Sequence, residues 1–378
     1  MHLVDTTMFY APHGGGVGRY LAVKHDWLKQ RSSMRHTILA PGATDGAPAP
    51  GIVTVRSTAM SLFPRQRYRF PLALPKWQER LTALQPDVIE VGDPYLPAWA
   101  ALGAGRRLGV PVIGFYHSDF PRAAALRAGS WIEPILRRYI RELYSRFDLV
   151  VAPSRYMQQG LTELGISRVV CQPLGVDPQV FHPDRRNPLF KRSLGLPDDT
   201  RLLVFAGRFA REKNLHLLQR AAARLGEGWH LLLVGNGRRR PAPQHNVTVL
   251  PYECDPVKLA RIIASCDALV HPGDQETFGL VVLEAMACGL PVIAVDKGAV
   301  SELVSDSTGV VVRAGSVSAL ADGASRLWKR DPAALGRQAR RSVETNYTWD
   351  VVMRALLKTY SRLASMPVTQ PVPSYAAD

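Results

Sequence analysis

A repeated alternation of short apolar runs with longer amphipathic stretches constrains this chain more than any other feature. Short runs rich in branched residues are typical of buried strands, and the stretches between most of them have helical periodicity. In the first half the predicted strands are Leu3–Asp5, His36–Ala40, Val53–Val55, Asp87–Val91, Pro111–Phe115, Leu149–Ala152 and Val169–Gln172. In the second half they are Arg201–Ala206, His230–Val234, Val247–Leu250, Ala268–His271, Pro291–Ala294 and Val310–Val312. Such alternation predicts parallel sheets with crossover helices, and two sets in succession predict two doubly wound α/β domains.

The predicted domain boundary lies in the proline-rich segment Pro178–Pro197, which holds several charges and has no clear period. The sequence therefore predicts an N-terminal Rossmann-like domain over residues 1–185 and a C-terminal one over residues 186–345. Apolar residues recur at helical spacing after Asn346, which predicts a C-terminal helix over 346–366 that packs back on the first domain. Residues 367–378 have low complexity and are predicted to form a loose tail.

Net charge and cysteine usage limit the class of protein. The 378 residues carry a formal net charge of +15, which implies an anionic partner such as a phosphorylated substrate, an acidic lipid surface or nucleic acid. No zinc-finger spacing or RNP-type aromatic motif is present, so nucleic acid is not expected as a partner. No apolar run approaches the roughly 18 residues of a spanning helix, and the first residues lack the pattern of a signal peptide. The 4 cysteines are scattered without metal spacing, which predicts a reduced, cytoplasmic protein.

The first candidate motif is a glycine loop at residues 14–18, GGGVG, soon after the opening strand. Glycines let a backbone approach a phosphate closely, and the helix that follows offers unpaired amides. Arg19 stands where the last glycine of a dinucleotide fingerprint would be, so the loop does not predict a dinucleotide site. A tight turn from strand to helix would explain the same glycines.

The second motif is the basic segment 207–214, GRFAREKN, directly after the predicted strand Arg201–Ala206. Ligands of open α/β sheets bind at the carboxyl ends of the strands. Arg208 can bind two phosphate oxygens at once, and Lys213 adds a second positive charge. The segment therefore predicts a phosphate site, although a solvated basic loop has the same composition.

The third motif is the most specific and covers residues 271–287, HPGDQETFGLVVLEAMA. A buried strand runs into a loop, and a helix begins near Gly279, where unpaired amides are ready for an anion. Helical side chains lean toward the N-terminus, so Glu284 can reach a ligand at that end, and Glu276 lies in the loop on the same side. Two carboxylates beside a phosphate site make sense as acceptors for sugar hydroxyls.

The spacing of Glu276 and Glu284 resembles the E-x7-E motif of retaining glycosyltransferase family 4, which has the GT-B fold. Further features follow in the order that family shows, namely the glycine loop, His117, the segment 175–177, Arg208 and Lys213. The resemblance covers about residues 1–365. It implies two Rossmann-like doubly wound domains that face each other across a cleft. It also implies transfer of a hexose from a nucleotide diphosphate sugar such as GDP-mannose or UDP-glucose.

The same resemblance implies a role for each candidate residue. The catalytic set would be Arg208, Lys213, Glu276 and His117. The donor-binding set would be Gly15, Gly16, Pro251, Tyr252, Phe278, Gly279, Leu280 and Glu284. The diphosphate would be contacted by Arg208, Lys213, Gly16 and the amides at 279–280. The segment 251–252 would lie near the base. Glu276 would bind hydroxyls of the donor sugar, and His117 would lie beside that sugar. Glu284 would bind the ribose.

The sequence contains no Asp-x-Asp motif, with which many enzymes of nucleotide sugars hold a metal. Arg208, Lys213 and the helix N-terminus can stabilise the leaving diphosphate with fixed protein charge, so no metal and no other cofactor is predicted. The resemblance implies retention by front-face attack, in which the leaving phosphate accepts the proton and no protein base is needed. A glycoside hydrolase is disfavoured by the phosphate-facing helix. A non-catalytic nucleotide-sugar-binding protein of the same fold stays an alternative.

Two basic segments of the first half bear on the acceptor. Residues 61–80 and 122–146 each have a net charge of +4 and together account for the net +8 of residues 1–185. Their aromatic residues are Phe63, Tyr68, Phe70 and Trp77 in one segment and Trp131, Tyr139 and Tyr144 in the other. Basic residues beside apolar rings suit an anionic membrane surface. The sequence thus predicts a protein peripheral on the inner face of the cell membrane with a membrane lipid or lipid-linked glycan as acceptor. Solvated basic surfaces and a soluble sugar acceptor are the alternatives.

Overall fold

The computed structural model describes residues 1–10, 16–59, 68–237 and 241–365. Two compact units make up the chain, one formed by Met1–Gln172 with the chain from Met353, the other by Pro173–Val352. The chain passes from the first unit to the second after Gln172, before the segment 178–197 in which the sequence analysis placed the boundary. The whole proline-rich segment belongs to the second unit.

The first unit is built on an eight-stranded sheet and a two-stranded one. Its strands are β1 (His2–Thr6), β2 (Arg35–Gly42), β3 (Gly46–Ala49), β4 (Ile52–Arg56), β5 (Thr58–Ala59), β6 (Arg69–Phe70), β7 (Val88–Val91), β8 (Val112–Phe115), β9 (Leu149–Ala152) and β10 (Val169–Cys171). The large sheet has the order β10-β9-β8-β7-β1-β2-β4-β3, and its pairings are parallel except that of β3 with β4. Every strand predicted in this half is present. The sequence missed β3, β5 and β6, which are two to four residues long and too short for a periodic pattern.

Helices connect most of the parallel strands of the first unit, as the alternating pattern predicts, whereas β2 and β4 are connected through β3. The helices are α1 (Gly16–Arg31), α2 (Leu74–Ala83), α3 (Leu96–Leu108), α4 (Phe120–Ala128), α5 (Ile132–Tyr144) and α6 (Arg155–Glu163). Local signals set several of their ends: the Asp119 side chain caps α4, Ser154 caps α6, and Gly109 ends α3 in the left-handed conformation. The core lies between the sheet and these helices, with Val4, Ile89 and other strand residues fully buried.

The second unit contains a six-stranded parallel sheet with the order β13-β12-β11-β14-β15-β16. Its strands are β11 (Arg201–Ala206), β12 (Trp229–Val234), β13 (Val247–Leu250), β14 (Ala268–His271), β15 (Val292–Val295) and β16 (Gly309–Val312). Every strand predicted in this half is present. The chain adds β12 and β13 on one side of β11 and then places β14 on the other, so the strand order reverses between β11 and β14. Ligands of open α/β sheets bind at the carboxyl ends of the strands at such a point.

Helices connect most of the strands of the second unit. They are α7 (Phe190–Ser193), α8 (Leu215–Leu225), α9 (Pro256–Ala264), α10 (Leu280–Ala287), α11 (Val300–Leu303), α12 (Val317–Trp328) and α13 (Pro332–Asn346), with 3₁₀ turns at Pro183–Arg185 and Arg211–Lys213. The last helix, α14 (Trp349–Ala364), begins in this unit and belongs to the first from Met353. Its predicted apolar positions Val352, Leu356 and Tyr360 are buried.

A buried ionic cluster joins α14 to the first sheet. Lys24 of α1 donates hydrogen bonds of 2.9 Å to both Asp5 of β1 and Glu90 of β7, and Tyr360 of α14 donates to the other oxygen of Glu90. Burial raises the pKa of Glu90 to about 7, although Lys24 acts in the opposite direction. Burial also acts to raise the pKa of Asp5, but Lys24 and the neighbouring His36 outweigh it and lower that pKa to about 2. These long-range polar contacts orient the C-terminal helix in the first unit.

Candidate active site

Two loops meet at the carboxyl ends of β11 and β14. The loop after β11 carries Arg208 and ends in the 3₁₀ turn Arg211–Lys213, and the loop after β14 carries Glu276. Asn214 precedes α8 in the left-handed conformation, with φ 50°, and its side-chain amide donates to the carbonyl oxygen of Pro272 at 3.3 Å. The fold therefore brings together two motifs that lie more than sixty residues apart in the sequence.

Lys213, Glu276 and His271 form a cluster at the centre of this edge. The Lys213 ammonium donates a hydrogen bond to Glu276 Oε2, and His271 Nε2 lies 3.2 Å from the same oxygen. The side chains of Lys213 and Glu276 are 17% and 19% exposed, and that of His271 is 1% exposed. Sequence analysis gave no role to His271, although this residue opens the third motif. Its position directly before the Glu276 loop is the signal that could have found it.

Neighbouring charges, more than burial, set the protonation state of Glu276. Burial alone would raise the pKa of Glu276, but the Lys213 cation and the His271 imidazole together hold that pKa well below its usual range. Burial lowers the pKa of His271 despite the opposite effect of Glu276, so the imidazole is neutral at pH 7. Glu276 is therefore an ionised hydrogen-bond acceptor with little tendency to take up a proton.

Arg208 is placed differently from Lys213. Its side chain is 63% exposed, and its guanidinium donates to Glu212 at 2.8 Å instead of to Glu276. An exposed ion pair of this kind contributes about 0–1 kcal/mol to stability. Arg208 can therefore leave Glu212 for an anionic ligand without breaking a buried contact.

The N-terminus of α10 has the geometry that the third motif predicts. Gly279 precedes the helix with φ 102°, a left-handed conformation that favours glycine. The amides at Leu280 and just after it start the helix, where backbone donors lack intrahelical partners and favour an anion. Glu284, one turn into the helix, is 5% exposed, and Phe278 is 4% exposed with its ring in the core.

Two glycines that the sequence analysis missed allow the backbone of this edge to pack closely. A Cβ atom on Gly235, which follows β12, would lie 1.9 Å from the carbonyl oxygen of Gly207. Gly298 has φ 72°, and a Cβ atom there would lie 3.1 Å from the amide nitrogen of Glu276. Both positions therefore need glycine for the loops that carry Lys213 and Glu276 to keep their places.

The other donor-binding candidates lie on other elements of the fold. Pro251 and Tyr252 follow β13, and both are exposed, with 53% of Tyr252 accessible to solvent. Gly16 is the first residue of α1 in the first unit and is exposed. Gly15 lies outside the residues that the structure describes.

His117 follows β8 at the carboxyl edge of the first sheet. Its ring stacks on that of Phe115, with centroids 3.9 Å apart and planes 6° from parallel, and the Tyr20 ring lies 5.1 Å away. Burial, and to a smaller extent the nearby Lys24 cation, lowers the pKa of His117 to about 3, so the imidazole is neutral. A neutral ring in this place can donate or accept a hydrogen bond but brings no charge.

The basic segments of the first unit are only partly available for a surface role. Trp77 and Tyr144 are 0% and 1% exposed, so the prediction that their rings face a membrane is wrong: both lie on the inner faces of their helices and fill the core. Trp131 is 67% exposed. Ile135, which the prediction did not include, is 59% exposed. Phe63 lies outside the described residues. Within the described ranges, no helix is both long and apolar enough to cross a membrane.

Known proteins match this chain over most of its length. Residues 14–180 match the family described as Glycosyltransferase Family 4, and residues 200–330 match that described as Glycosyl transferases group 1. A GDP-mannose-dependent alpha-mannosyltransferase of Mycobacterium tuberculosis is 34% identical over 329 residues, which cover 84% of each chain. The chain belongs to glycosyltransferase family 4. The family and the enzyme class inferred from the sequence are thereby confirmed.

A further relative supports this glycosyltransferase assignment, and solved structures show the fold. A GDP-mannose-dependent alpha-mannosyltransferase of Mycolicibacterium smegmatis is 32% identical over 93% of this chain and 94% of its own. Sucrose-phosphate synthase from Thermosynechococcus elongatus superposes with a TM-score of 0.77 at 22% identity, covering 96% of this chain and 99% of the other. Anabaena HepE in complex with UDP and glucose gives 0.74 at 19% identity, with the same coverage. At these identities the structures show the fold, and the predicted GT-B fold of the glycosyltransferase is confirmed.

Proposed function

We propose that this glycosyltransferase moves mannose from GDP-mannose to a lipid or lipid-linked acceptor, with retention of configuration and without a metal. The similarity to two proteins named GDP-mannose-dependent alpha-mannosyltransferases, at 34% and 32% identity, carries the choice of donor. A relative at 27% identity is named a GDP-mannose-dependent alpha-(1-6)-phosphatidylinositol dimannoside mannosyltransferase, which favours a lipid acceptor. UDP-glucose is the competing donor, and a soluble sugar is the competing acceptor.

The second unit supplies the donor site in this proposal. Lys213 and Arg208 bind the diphosphate, and the amides from Gly279 onward add hydrogen bonds to its oxygens. Glu276 accepts hydrogen bonds from mannose hydroxyls, and Glu284 accepts them from the ribose. The contact between Lys213 and Glu276 supports this arrangement, because it places a cation for phosphate directly beside an acceptor for sugar.

The remaining roles stay predictions. Pro251 and Tyr252 would contact the base, and their exposure leaves them open to it. Gly15 and Gly16 would contact the diphosphate, and His117 would lie beside the transferred sugar.

The chemistry follows from the charges of the site. Cleavage of the bond between mannose and the diphosphate leaves negative charge on the departing phosphate oxygen, which Lys213, Arg208 and the N-terminus of α10 stabilise. Glu276 has a pKa well below its usual range, so it is a poor base. In the proposed front-face attack the acceptor hydroxyl gives its proton to the leaving phosphate. The new bond forms on the face from which the phosphate departs, and the configuration is retained.

A panel of nucleotide sugars tests the donor and the metal. Purified protein is incubated with GDP-mannose or UDP-glucose and acceptor lipid, with magnesium or EDTA, and release of nucleoside diphosphate is followed, with Lys213→Ala as the inactive control. We expect GDP release at the same rate in EDTA and an α-linked product by NMR. Faster turnover of UDP-glucose would contradict the donor, and loss of activity in EDTA that magnesium restores would contradict metal independence.

An exposed face of α5 supports a peripheral place on an anionic membrane. Trp131 and Ile135 are one turn apart, 67% and 59% exposed, and the exposed Arg138 lies on the same side. Arg127, also exposed, precedes them at the end of α4. Basic side chains beside apolar ones suit an interfacial site, and each adds about 1 kcal/mol near an anionic surface.

Vesicle flotation tests this membrane proposal. Binding to phosphatidylglycerol vesicles should exceed binding to phosphatidylcholine vesicles and should fall as salt rises. The pair Trp131→Ser and Ile135→Ser should weaken it. The matched control Val249→Ser removes an apolar side chain that is 45% exposed in the second unit, and binding should not change. Salt-independent failure to bind either vesicle would remove the membrane from the proposal and favour a soluble acceptor.

A further inference from the structure

His271 lies against the residue that binds the sugar in the proposed function, yet that function gives it no task. It ends β14, is 1% exposed, and has its ring 5.9 Å from that of Phe205. Its Nε2 atom lies 3.2 Å from Glu276 Oε2, but within the described ranges neither ring nitrogen makes a well-aligned hydrogen bond. Since a buried polar ring without good partners is costly, an apolar side chain would fill this place more favourably if packing were its only purpose.

Two partners of Glu276 converge on one of its oxygens. Lys213 Nζ and His271 Nε2 both contact Oε2. An ionised carboxylate has acceptor sites on both oxygens, so this arrangement keeps Oε1 available for other donors. A carboxylate held through one oxygen from two directions has a defined plane, and its second oxygen points in a defined direction.

The two partners respond differently to a bound donor. In the proposed function Lys213 also binds the diphosphate, whose negative charge competes with Glu276 for the ammonium group. Burial lowers the pKa of His271, so the ring stays neutral and the diphosphate does not draw it away. The imidazole is therefore the partner that Glu276 keeps when the donor arrives.

We propose that His271 is a positioning residue, whose Nε2–H donates to Glu276 Oε2 and holds the carboxylate with Oε1 toward the donor sugar while Lys213 engages the diphosphate. The proposal rests on the proposed function in one respect, namely that Glu276 binds the sugar. It also requires the ring to carry its proton on Nε2 and to turn this N–H toward Oε2 when the donor is bound, because the 3.2 Å contact is not an aligned hydrogen bond in this structure.

Paired substitutions at position 271 test this role. His271→Gln places an amide nitrogen the same number of bonds from the backbone as Nε2 and keeps a donor, whereas His271→Leu keeps an apolar body without one. The Leu variant should lose kcat by roughly 10-fold to 100-fold, as expected for one lost hydrogen bond to a charged group, with the Gln variant recovering most of the rate. Calorimetric titration with GDP alone should give nearly the same Kd for both variants and the wild type, because GDP has no sugar to contact Glu276.

Several outcomes would overturn the proposal. Wild-type kcat in the Leu variant would show that Glu276 needs no help, and equal losses in the Leu and Gln variants would show that packing alone matters. Parallel loss of GDP affinity would point to general damage to the site. If the Leu variant does not fold, His271→Asn replaces it, because the shorter amide cannot reach Glu276. Asn and Gln variants of equal activity would then refute the role.

The donor question is kept separate from the role of His271. The wild type is first assayed with GDP-mannose and UDP-glucose, and the variants are compared on whichever donor it turns over. Turnover of UDP-glucose instead of GDP-mannose would correct the donor in the proposed function and leave the His271 comparison intact. Normal GDP-mannose turnover that is insensitive to Glu276→Gln would contradict the sugar-binding role of Glu276, and the His271 proposal would fall with it.

Discussion

Replacing Lys213 by methionine should reduce stability as well as turnover, whereas replacing Arg208 should reduce turnover alone. Removal of one partner from a fully buried pair costs about 3–5 kcal/mol. Because Lys213 and Glu276 remain 17% and 19% exposed, we expect about 2 kcal/mol for Lys213→Met. For a unit of this size that corresponds to a Tm lower by about 4–8 °C. The Arg208–Glu212 pair is exposed, so Arg208→Met should leave Tm nearly unchanged.

The stability difference for Lys213→Met should depend on pH in a defined direction. In the wild type the pKa of Glu276 lies below its usual value of 4.5, so ionised Glu276 stabilises the fold above that pH, and this contribution is lost as the pH falls. Without Lys213, burial raises the pKa of Glu276, and the buried charge destabilises the variant most at neutral pH. The difference in Tm should therefore narrow between pH 7.5 and pH 5.

Thermal unfolding followed by circular dichroism at both pH values measures these effects. Turnover should fall by about 10²-fold or more in either single variant, the scale for removal of one preorganised charge donor. The double variant Lys213→Met with Glu276→Gln should regain most of the lost Tm, because no uncompensated charge is left, and should stay inactive. Equal Tm losses for the Lys213 and Arg208 variants, or a difference that does not change with pH, would refute the reasoning.

The remaining predictions concern other parts of the molecule. In calorimetric titrations, Glu276→Ala should weaken binding of the nucleotide sugar but not of the nucleoside diphosphate, and Glu284→Ala should weaken both; the reverse pattern would exchange their roles. The pKa of Glu90 is raised from 4.5 to about 7 in the folded protein, so as the pH rises the unfolded chain loses the proton of the Glu90 carboxyl before the folded protein does. The free energy of unfolding of the wild type should therefore fall as the pH rises from about 4.5 to about 7. Urea unfolding of Glu90→Gln should lack this slope, and an unchanged slope would contradict the assignment. Gly235→Ala would place a Cβ atom 1.9 Å from the Gly207 carbonyl oxygen. Urea unfolding should therefore show a free energy of unfolding that is lower by about 1–3 kcal/mol, and turnover should drop. Stability and turnover equal to those of the wild type would mean that the loop shifts freely.

The sequence by itself determined the strand positions and the two motifs of the candidate donor site. Strands such as Arg201–Ala206 and Ala268–His271 are short apolar runs, and their burial on both faces of a parallel sheet imposes that pattern locally. The motifs follow these strands directly, and the carboxyl ends of parallel strands share one edge of a sheet. That Lys213 and Glu276 lie on the same edge could therefore be inferred from chain order alone.

Only the tertiary structure decided which side chains touch at that edge and which face solvent. The convergence of Lys213 and His271 on one oxygen of Glu276 depends on the register of β11 against β14, which no local pattern encodes. Aromatic residues in basic helices look alike in sequence, yet Trp77 is in the core and Trp131 is exposed, because a helix buries only the face that meets the sheet. Close backbone approaches, such as that at Gly235, likewise arise between segments distant in sequence and appear only when the chain is folded.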